Sequence, residues 1–433
     1  MSPITIGIIG IVVLLVLFVM RMQIGFAMAL VGFTGFVALN SFESGFGLLG
    51  YEPFNAGKDY AFSVIPLFIL MGQFASHSKM GEDIYNMVHH WLGFMPGGLA
   101  MATIGACACF AAISGSSLAA VATFGMVALP EMQKHQYSDA LATGCIAAGG
   151  TLGILIPPSS VLIFYGILTE QNIGTLFIAG FVPGVFLSLL FIAMIYGMCK
   201  FNPALGKPGP RYTMREKVYS LKHTWSILLL FLLVIGGLYA GWFTPTEAAG
   251  IGAFGAFLIT ILKRRLTWDR LFASLKDTCQ TTAMIFGILI GAFLFQYFMT
   301  LSEIPEQLAA WVVTLGLHRN LIMLFMILVF IVMGCFMEGL SIMFLSVPIV
   351  YPIVIGLGFD PIWFGIIITL VLEMSLITPP VGVNVFVLSG VAKDIPMETM
   401  FRGIIPFWAA MFVCILVLLF FPEIVLFLPN TMG

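Results

Sequence analysis

Charge is what this sequence lacks. Only 9% of its 433 residues are charged, 18 Lys+Arg against 20 Asp+Glu, where a soluble domain carries roughly 25%. That leaves too little polar surface to cover a water-soluble fold. With a formal net charge of −2 and no basic tract outside the loops, nucleic-acid binding is excluded as well. Cysteine pairs are missing: Cys107, Cys109, Cys145, Cys199, Cys279, Cys335 and Cys414 fall mostly in apolar segments and form no CxxC. They read as core thiols, not as a disulfide, metal or redox set. No Walker A or other phosphate-cradling loop occurs, so the chain has no ATPase of its own. His77, His89, His90, His135, His223 and His318 all lie near the ends of apolar runs. No base therefore sits at membrane depth for a Ser–His hydrolase. The chain is expected not to be an enzyme and to need no organic cofactor.

Apolar residues, by contrast, make up 60% of the chain, in runs near the 20 or so needed to cross a bilayer as a helix. The fold class expected is an all-α polytopic membrane protein. Runs that end at charged or Pro/Gly clusters give spans at 4–20, 24–40, 60–78, 137–170, 174–199, 224–243, 246–262, 280–299, 361–392 and 400–428. The first has no basic segment before it and no small-residue cleavage site, so it is expected to be a retained span rather than a signal peptide. Stretches 94–132 and 320–357 are about 40 residues long, each with a small or polar kink near its middle: Ser114-Gly115-Ser116-Ser117 and Glu338-Gly339-Leu340-Ser341. Either is two spans with a tight turn or a re-entrant helical hairpin. Segments 79–93, 266–278 and 303–316 mix charge with helical apolar spacing and read as interfacial helices.

Charge asymmetry decides between these. Loop 200–223 holds Lys200, Lys207, Arg211, Arg215, Lys217 and Lys222 against Glu216, which marks it as cytoplasmic. Two spans on, Lys263, Arg264, Arg265, Arg270 and Lys276 fall on the same side. Counting both long stretches as hairpins puts both termini in the periplasm and 16 of the 18 Lys+Arg in the cytoplasm, all but Lys58 and Arg319. The hairpin reading is therefore preferred.

The chain also repeats itself at an offset of 222 residues: Pro130 matches Pro352, Pro157 and Pro158 match Pro379 and Pro380, Val161 matches Val383, Phe164 matches Phe386 and Ile173 matches Ile395. Gly115 matches Gly339 after a two-residue slip. Each repeat reads as hairpin, connector and a span broken by Pro-Pro. Five expected crossings separate the hairpins, so the first enters from the cytoplasm and the second from the periplasm. That is an inverted repeat, the usual basis of alternating access.

Two adjacent prolines remove amide donors and break a helix. The freed carbonyls are tolerated at membrane depth only inside protein or beside a polar cavity. With nearby hydroxyls they form a cage of hard, uncharged oxygen donors suited to Na⁺. A hairpin tip adds the carbonyls of one helix end and the amides of another. One Na⁺ is expected between the tip Ser114, Gly115, Ser116 and the break Gly149, Gly150, Thr151, Ile156. A second is expected between Glu338, Gly339 and Ser375, Thr378, Pro379. Substrate is expected where the units touch, between Ser117, Pro157, Pro158, Ser159 and Leu340, Ser341, Pro380, Gly382, Asn384. Glu338 and Glu373 sit at apparent membrane depth, where a carboxylate is costly unless partnered, and no Lys or Arg is placed to pair with either. Glu338 suits a role beside a cation or in holding its tip. Glu373 suits either an interior hydrogen-bonded carboxylate or a coupling group. Polar tips cannot part within lipid without exposing backbone, so the two repeats are expected to slide as one block, an elevator-type motion.

The run Gly241-Trp242-Phe243-Thr244-Pro245-Thr246-Glu247-Ala248-Ala249 resembles a signature of the large membrane subunit of TRAP (tripartite ATP-independent periplasmic) transporters. The paired Pro-Pro breaks, Ile113-Ser114-Gly115-Ser116 and Met337-Glu338-Gly339 fit the same family. The resemblance covers essentially the whole chain. It implies a sodium-driven elevator of the bacterial inner membrane that imports organic acids such as sialic acid, C4-dicarboxylates or other sugar acids. It implies two partners besides lipid: a separate small membrane subunit of about four spans, and a soluble periplasmic protein that delivers substrate. It divides the chain into scaffold 1–93, transport repeat 94–170, scaffold and arms 171–319, transport repeat 320–392 and a C-terminal scaffold helix 393–433. Two other functions stand beside it. Glu247-Ala248-Ala249-Gly250 resembles the loop by which an ABC-type permease docks its ATPase, but the charge map makes it periplasmic and no Ile-x-Leu-Pro follows. A non-coupled scaffold or channel subunit is the other, and sodium-dependent uptake separates it from a symporter.

Overall fold

Glycines, prolines and hydroxyl caps decide where the helices of this chain stop. The computed structural model describes residues 2–337 and 339–432, which hold helices and connections and no strand. The chain opens with α1 (Pro3–Val19), α2 (Ile24–Leu39), α3 (Phe42–Lys58), α4 (Val64–His77) and an amphipathic α5 (Met80–Leu92). The first long stretch folds as a hairpin, α6 (Gly98–Ser114) and α7 (Ser117–Lys134). A broken span follows, α8 (Asp139–Leu155) and α9 (Ser160–Thr169), and then the long α10 (Ile173–Phe201). Four helices lead to the second unit: α11 (Met214–Tyr239), α12 (Pro245–Leu262), α13 (Trp268–Leu301) and α14 (Ile304–Thr314). The second unit repeats the order, with hairpin α15 (Arg319–Gly334) and α16 (Gly339–Gly356), broken span α17 (Pro361–Ser375) and α18 (Val383–Val391), and long α19 (Met397–Phe420). A short α20 (Glu423–Leu426) follows, and after it a single 3-10 turn at Pro429–Thr431.

Among the described residues, seven helices or joined pairs are long and apolar enough to cross a membrane. The broken span 139–169 is the most deeply enclosed of them. Around it pack α6, α7 and α19, with α10 along α6 and α19. A second group consists of α2 against α13 and of α4 against α12 and α13. Here small residues set the spacing: a Cβ on Gly32 would collide with the backbone of Leu294 and Phe295.

Three expectations change. Segment 266–278 is not a separate interfacial helix, because α13 runs unbroken for 34 residues. At 1.5 Å per residue that is about 51 Å, well beyond the roughly 30 Å of hydrocarbon. No proline interrupts it, so the charged first turns overhang as part of the span. The span expected at 224–243 starts at Met214, where Thr213 and Glu216 form a capping box, and its axis bends by 61° between Met214–Lys222 and Thr224–Tyr239. Finally, α3 was not anticipated: Gly45, Gly47, Gly50, Pro53 and Gly57 are poor helix formers. Ser41 nonetheless caps it by accepting from Ser44 N at 3.2 Å.

The connection after α10 lies across the base of the first hairpin. Gly97 N donates to Gly206 O (3.1 Å), Ser138 N to Leu205 O (3.0 Å) and Gly209 N to Gly93 O (2.9 Å). The Tyr137 hydroxyl donates to Lys207 O at 2.8 Å.

Candidate functional site

Each hairpin tip lies on the break of its own repeat. At the first tip α6 ends on Gly115, whose φ of +58° is a left-handed conformation that costs an L side chain and not glycine. A Cβ there would also lie 2.7 Å from Pro158 O, and one on Gly153 would lie 2.8 Å from Ser116 O. The tip backbone therefore rests directly on the broken span. Ser116 caps α7 by accepting from Ala119 N (3.3 Å), and Ser159 caps α9 by accepting from Leu162 N (3.2 Å). At the second tip a Cβ on Gly334 would strike Ser375, and one on Gly339 would touch Leu372. Both Pro-Pro bonds, Pro157-Pro158 and Pro379-Pro380, are cis.

The hydroxyls of these segments differ in what remains available. The Ser114 hydroxyl is buried with no hydrogen-bond partner. Thr151 donates to Ala148 O (2.7 Å) and Ser375 to Leu372 O (2.5 Å). Thr378 donates to Met374 O and accepts from Trp408 Nε1 at 3.1 Å. A hydroxyl has two acceptor lone pairs, so each retains oxygen capacity for a cation. Gly149 and Gly150 are buried in α8, and Ile156 is its extended cap. Among the described residues no cluster of His, Cys, Asp or Glu is arranged for a metal ion. A site built of carbonyls and hydroxyls instead fits a hard monovalent cation. Glu338 falls outside the described residues. Glu373 is fully buried with neither carboxylate oxygen hydrogen-bonded.

A cavity of about 360 Å³ joins the two repeats. Ser114, Gly115, Ser116 and Ser117 of the first tip line it together with Pro158, and Gly339 and Leu340 enter from the second. Of the expected substrate residues, Pro157, Ser159, Ser341, Gly382 and Asn384 are buried away from it, and Pro380 is exposed, as is Pro379. Asn384 instead donates to Ser117 Oγ (2.8 Å) and Ala147 O (3.0 Å), while the Ser117 hydroxyl donates to Asn384 Oδ1 at 3.0 Å. The opposite wall was missed in the sequence. Gln73 and Ser76 of α4 and Thr281 of α13 face the tips across the cavity. For Gln73 and Ser76 the signal is a pair of polar residues three apart in the apolar run 60–78, which places both on one helix face. Among the described residues that line it, none is charged. Between this wall and the first tip the fit is close, since a Cβ on Gly72 would collide with Ser114 O.

The Thr244 to Glu247 run starts a helix. Thr244 Oγ1 accepts from Glu247 N (3.3 Å) and Glu247 Oε2 accepts from Thr244 N (2.8 Å), with Pro245 in the first turn. This is a capping box that starts α12.

Residues 11–424 match the family described as the DctM component of tripartite ATP-independent periplasmic transporters. The chain is 37% identical over 388 residues to the C4-dicarboxylate TRAP transporter large permease protein DctM of Pseudomonas aeruginosa, covering 89% of this chain and 90% of that one. It is 31% identical to the sialic acid TRAP transporter large permease protein SiaM of Vibrio cholerae, over 94% of this chain and 95% of that one. To the isethionate TRAP transporter permease protein DctMQ of Oleidesulfovibrio alaskensis it is 34% identical, over 86% of this chain and 59% of the relative. In fold it is similar to the YdaH transporter of Alcanivorax borkumensis (TM-score 0.64, 13% identity, 90% of each chain). It is likewise similar to MtrF of Neisseria gonorrhoeae (TM-score 0.62, 11% identity, 97% and 94% of the two chains).

Proposed function

The chain belongs to the large-permease, DctM family of tripartite ATP-independent periplasmic transporters and is a multi-pass membrane protein, and from that premise we propose that it imports an organic anion by sodium symport across the bacterial inner membrane. One observation carries this reading. The cavity gathers both hairpin tips and parts of both broken spans against Gln73, Ser76 and Thr281, with no charged side chain among the described lining residues. Such a lining meets a carboxylate or sulfonate through amides and hydroxyls, and co-transported Na⁺ at the tips supplies the positive charge the side chains lack. The first Na⁺ is assigned to the Ser114 hydroxyl with tip and break carbonyls, the second to the Ser375 and Thr378 segment beside Gly339. The relatives' named substrates, a C4-dicarboxylate, sialic acid and isethionate, support an organic anion as the class.

Transport then follows an elevator path. The segments 94–170 and 320–392 move as one body past the remaining spans, 4–78, 174–299 and 400–428. A small membrane subunit supports the scaffold, and a periplasmic binding protein delivers substrate. The Lys/Arg distribution supports periplasmic termini. The test is uptake into proteoliposomes holding the chain with its small subunit, fed by the binding protein with labelled C4-dicarboxylate, sialic acid or isethionate. Accumulation is expected only with an inward Na⁺ gradient. Uptake that ignores sodium, or requires ATP, overturns the proposal.

A further inference from the structure

Away from the transport cavity, a cleft of about 410 Å³ opens between α5, α11 and α12. Asp83, Lys222, Trp225, Ser226, Lys263 and Arg265 line it. Its one acid is already committed. Asp83 accepts from Lys263 Nζ (2.7 Å) and from both Arg265 nitrogens (2.7 and 3.0 Å), so the cleft holds three cations against one carboxylate. Lys222 pairs with no acid among the described residues. The Ser226 hydroxyl is buried and has no hydrogen-bond partner. An anion with several acceptor oxygens would answer both groups.

The surroundings select the kind of anion. The bend of 61° in α11 falls between Met214–Lys222 and Thr224–Tyr239, so Lys222 ends the charged segment and Trp225 begins the apolar one. Trp225 and Leu262 are 59% and 72% exposed at the rim, and both belong to apolar helices. Tryptophan at such a junction marks the interface between headgroups and hydrocarbon. An adjoining groove continues along Arg215, Val218, Lys222 and Trp225. Basic clefts between helices at a membrane surface suit anionic headgroups. We propose that this cleft is a binding site for an anionic phospholipid. Its phosphate is held by Lys222, the Ser226 hydroxyl and the Lys263–Arg265 edge, and an acyl chain runs along Trp225 and Leu262. A lipid so placed ties the arm α5 to α11 and α12.

Native mass spectrometry of the detergent-purified chain, titrated with phosphatidylglycerol or phosphatidylcholine, tests this. The wild type is expected to retain phosphatidylglycerol about fivefold better than phosphatidylcholine. The double variant Lys222→Gln/Ser226→Ala, which leaves the Asp83 pairs intact, is expected to lose that preference while melting at the wild-type temperature. Trp225→Ala is expected to weaken retention of both lipids. Millimolar inorganic phosphate is expected not to displace the lipid. Equal retention of the two lipids by the wild type, an unchanged preference in the double variant, or displacement by phosphate overturns the assignment.

Discussion

Ser117 and Asn384, 267 positions apart in the chain, clasp each other through two hydrogen bonds of 3.0 and 2.8 Å. One begins α7 of the first repeat and the other lies in the first turn of α18 of the second, and both are buried. The clasp joins the two repeats beside the cavity.

Breaking the clasp leaves buried polar groups unpaired, at a cost of about 1–3 kcal/mol. Asn384→Ala and Ser117→Ala should each lower thermal stability in detergent. Because they remove the same contact, the double variant should lose less than the sum, with a coupling of at least about 0.5 kcal/mol. Additive losses would show that the two side chains act independently.

Ser114 tests the first proposed sodium site cleanly, because its hydroxyl has no hydrogen bond to lose. Ser114→Ala should leave melting unchanged and raise the sodium concentration for half-maximal uptake several-fold. Thr378→Ala should do the same through the second site, at some cost in stability from its bonds to Met374 and Trp408. Normal sodium activation in both variants removes the assignment.

Gln73 and Thr281 belong to the wall that faces the tips. Gln73→Leu and Thr281→Val should raise the substrate KM by roughly tenfold, about 1.4 kcal/mol, with sodium activation unaltered. An unchanged KM would mean that substrate does not touch this wall.

Asp83 gives a pH dependence. Burial alone would raise its pKa, but hydrogen bonds and charge from Arg265 and Lys263 outweigh that and hold it below the usual carboxylate value. A depressed folded-state pKa contributes stability that is present at neutral pH and lost as pH falls through that folded value. Melting should therefore drop on acidification in the wild type. Asp83→Asn should be less stable at neutral pH, on the order of 2 kcal/mol, with a flatter acid profile. A parallel profile in the variant would assign the acid sensitivity to other groups.

Orientation is checked by labelling. In a cysteine-free background, a cysteine introduced near Lys207 should react only from the cytoplasm and one near Thr246 only from the periplasm. Labelling of both from one face would undo the inverted relationship of the repeats.

Much of the architecture was legible because proline and glycine act locally. Pro157-Pro158 and Pro379-Pro380 break helices whatever surrounds them, and Gly115 turns the chain where a side chain would be strained. Boundaries set by hydrophobicity alone fared worse. The charged first turns of α13 read as a separate helix because charge marks the membrane surface, not the end of a hydrogen-bond ladder. The site was less legible than the fold. Asn384 has the chemistry of a ligand residue, and only tertiary structure reveals Ser117 as its partner. Gln73 and Thr281 are polar residues in apolar spans, and although Gln73 shares a helix face with Ser76, nothing in the local sequence says what that face meets.

The loop bonded across Gly93, Gly97 and Ser138 leaves only residues 210–213 between it and the first turn of α11. The five steps from Gly209 to Met214 reach at most about 18 Å when pulled straight. While those bonds hold, the base of the first hairpin cannot climb further than that from the start of α11. In the elevator motion proposed above, residues 210–213 act as a leash on the stroke, and lengthening them is the change that loosens the limits of travel without touching either proposed binding site.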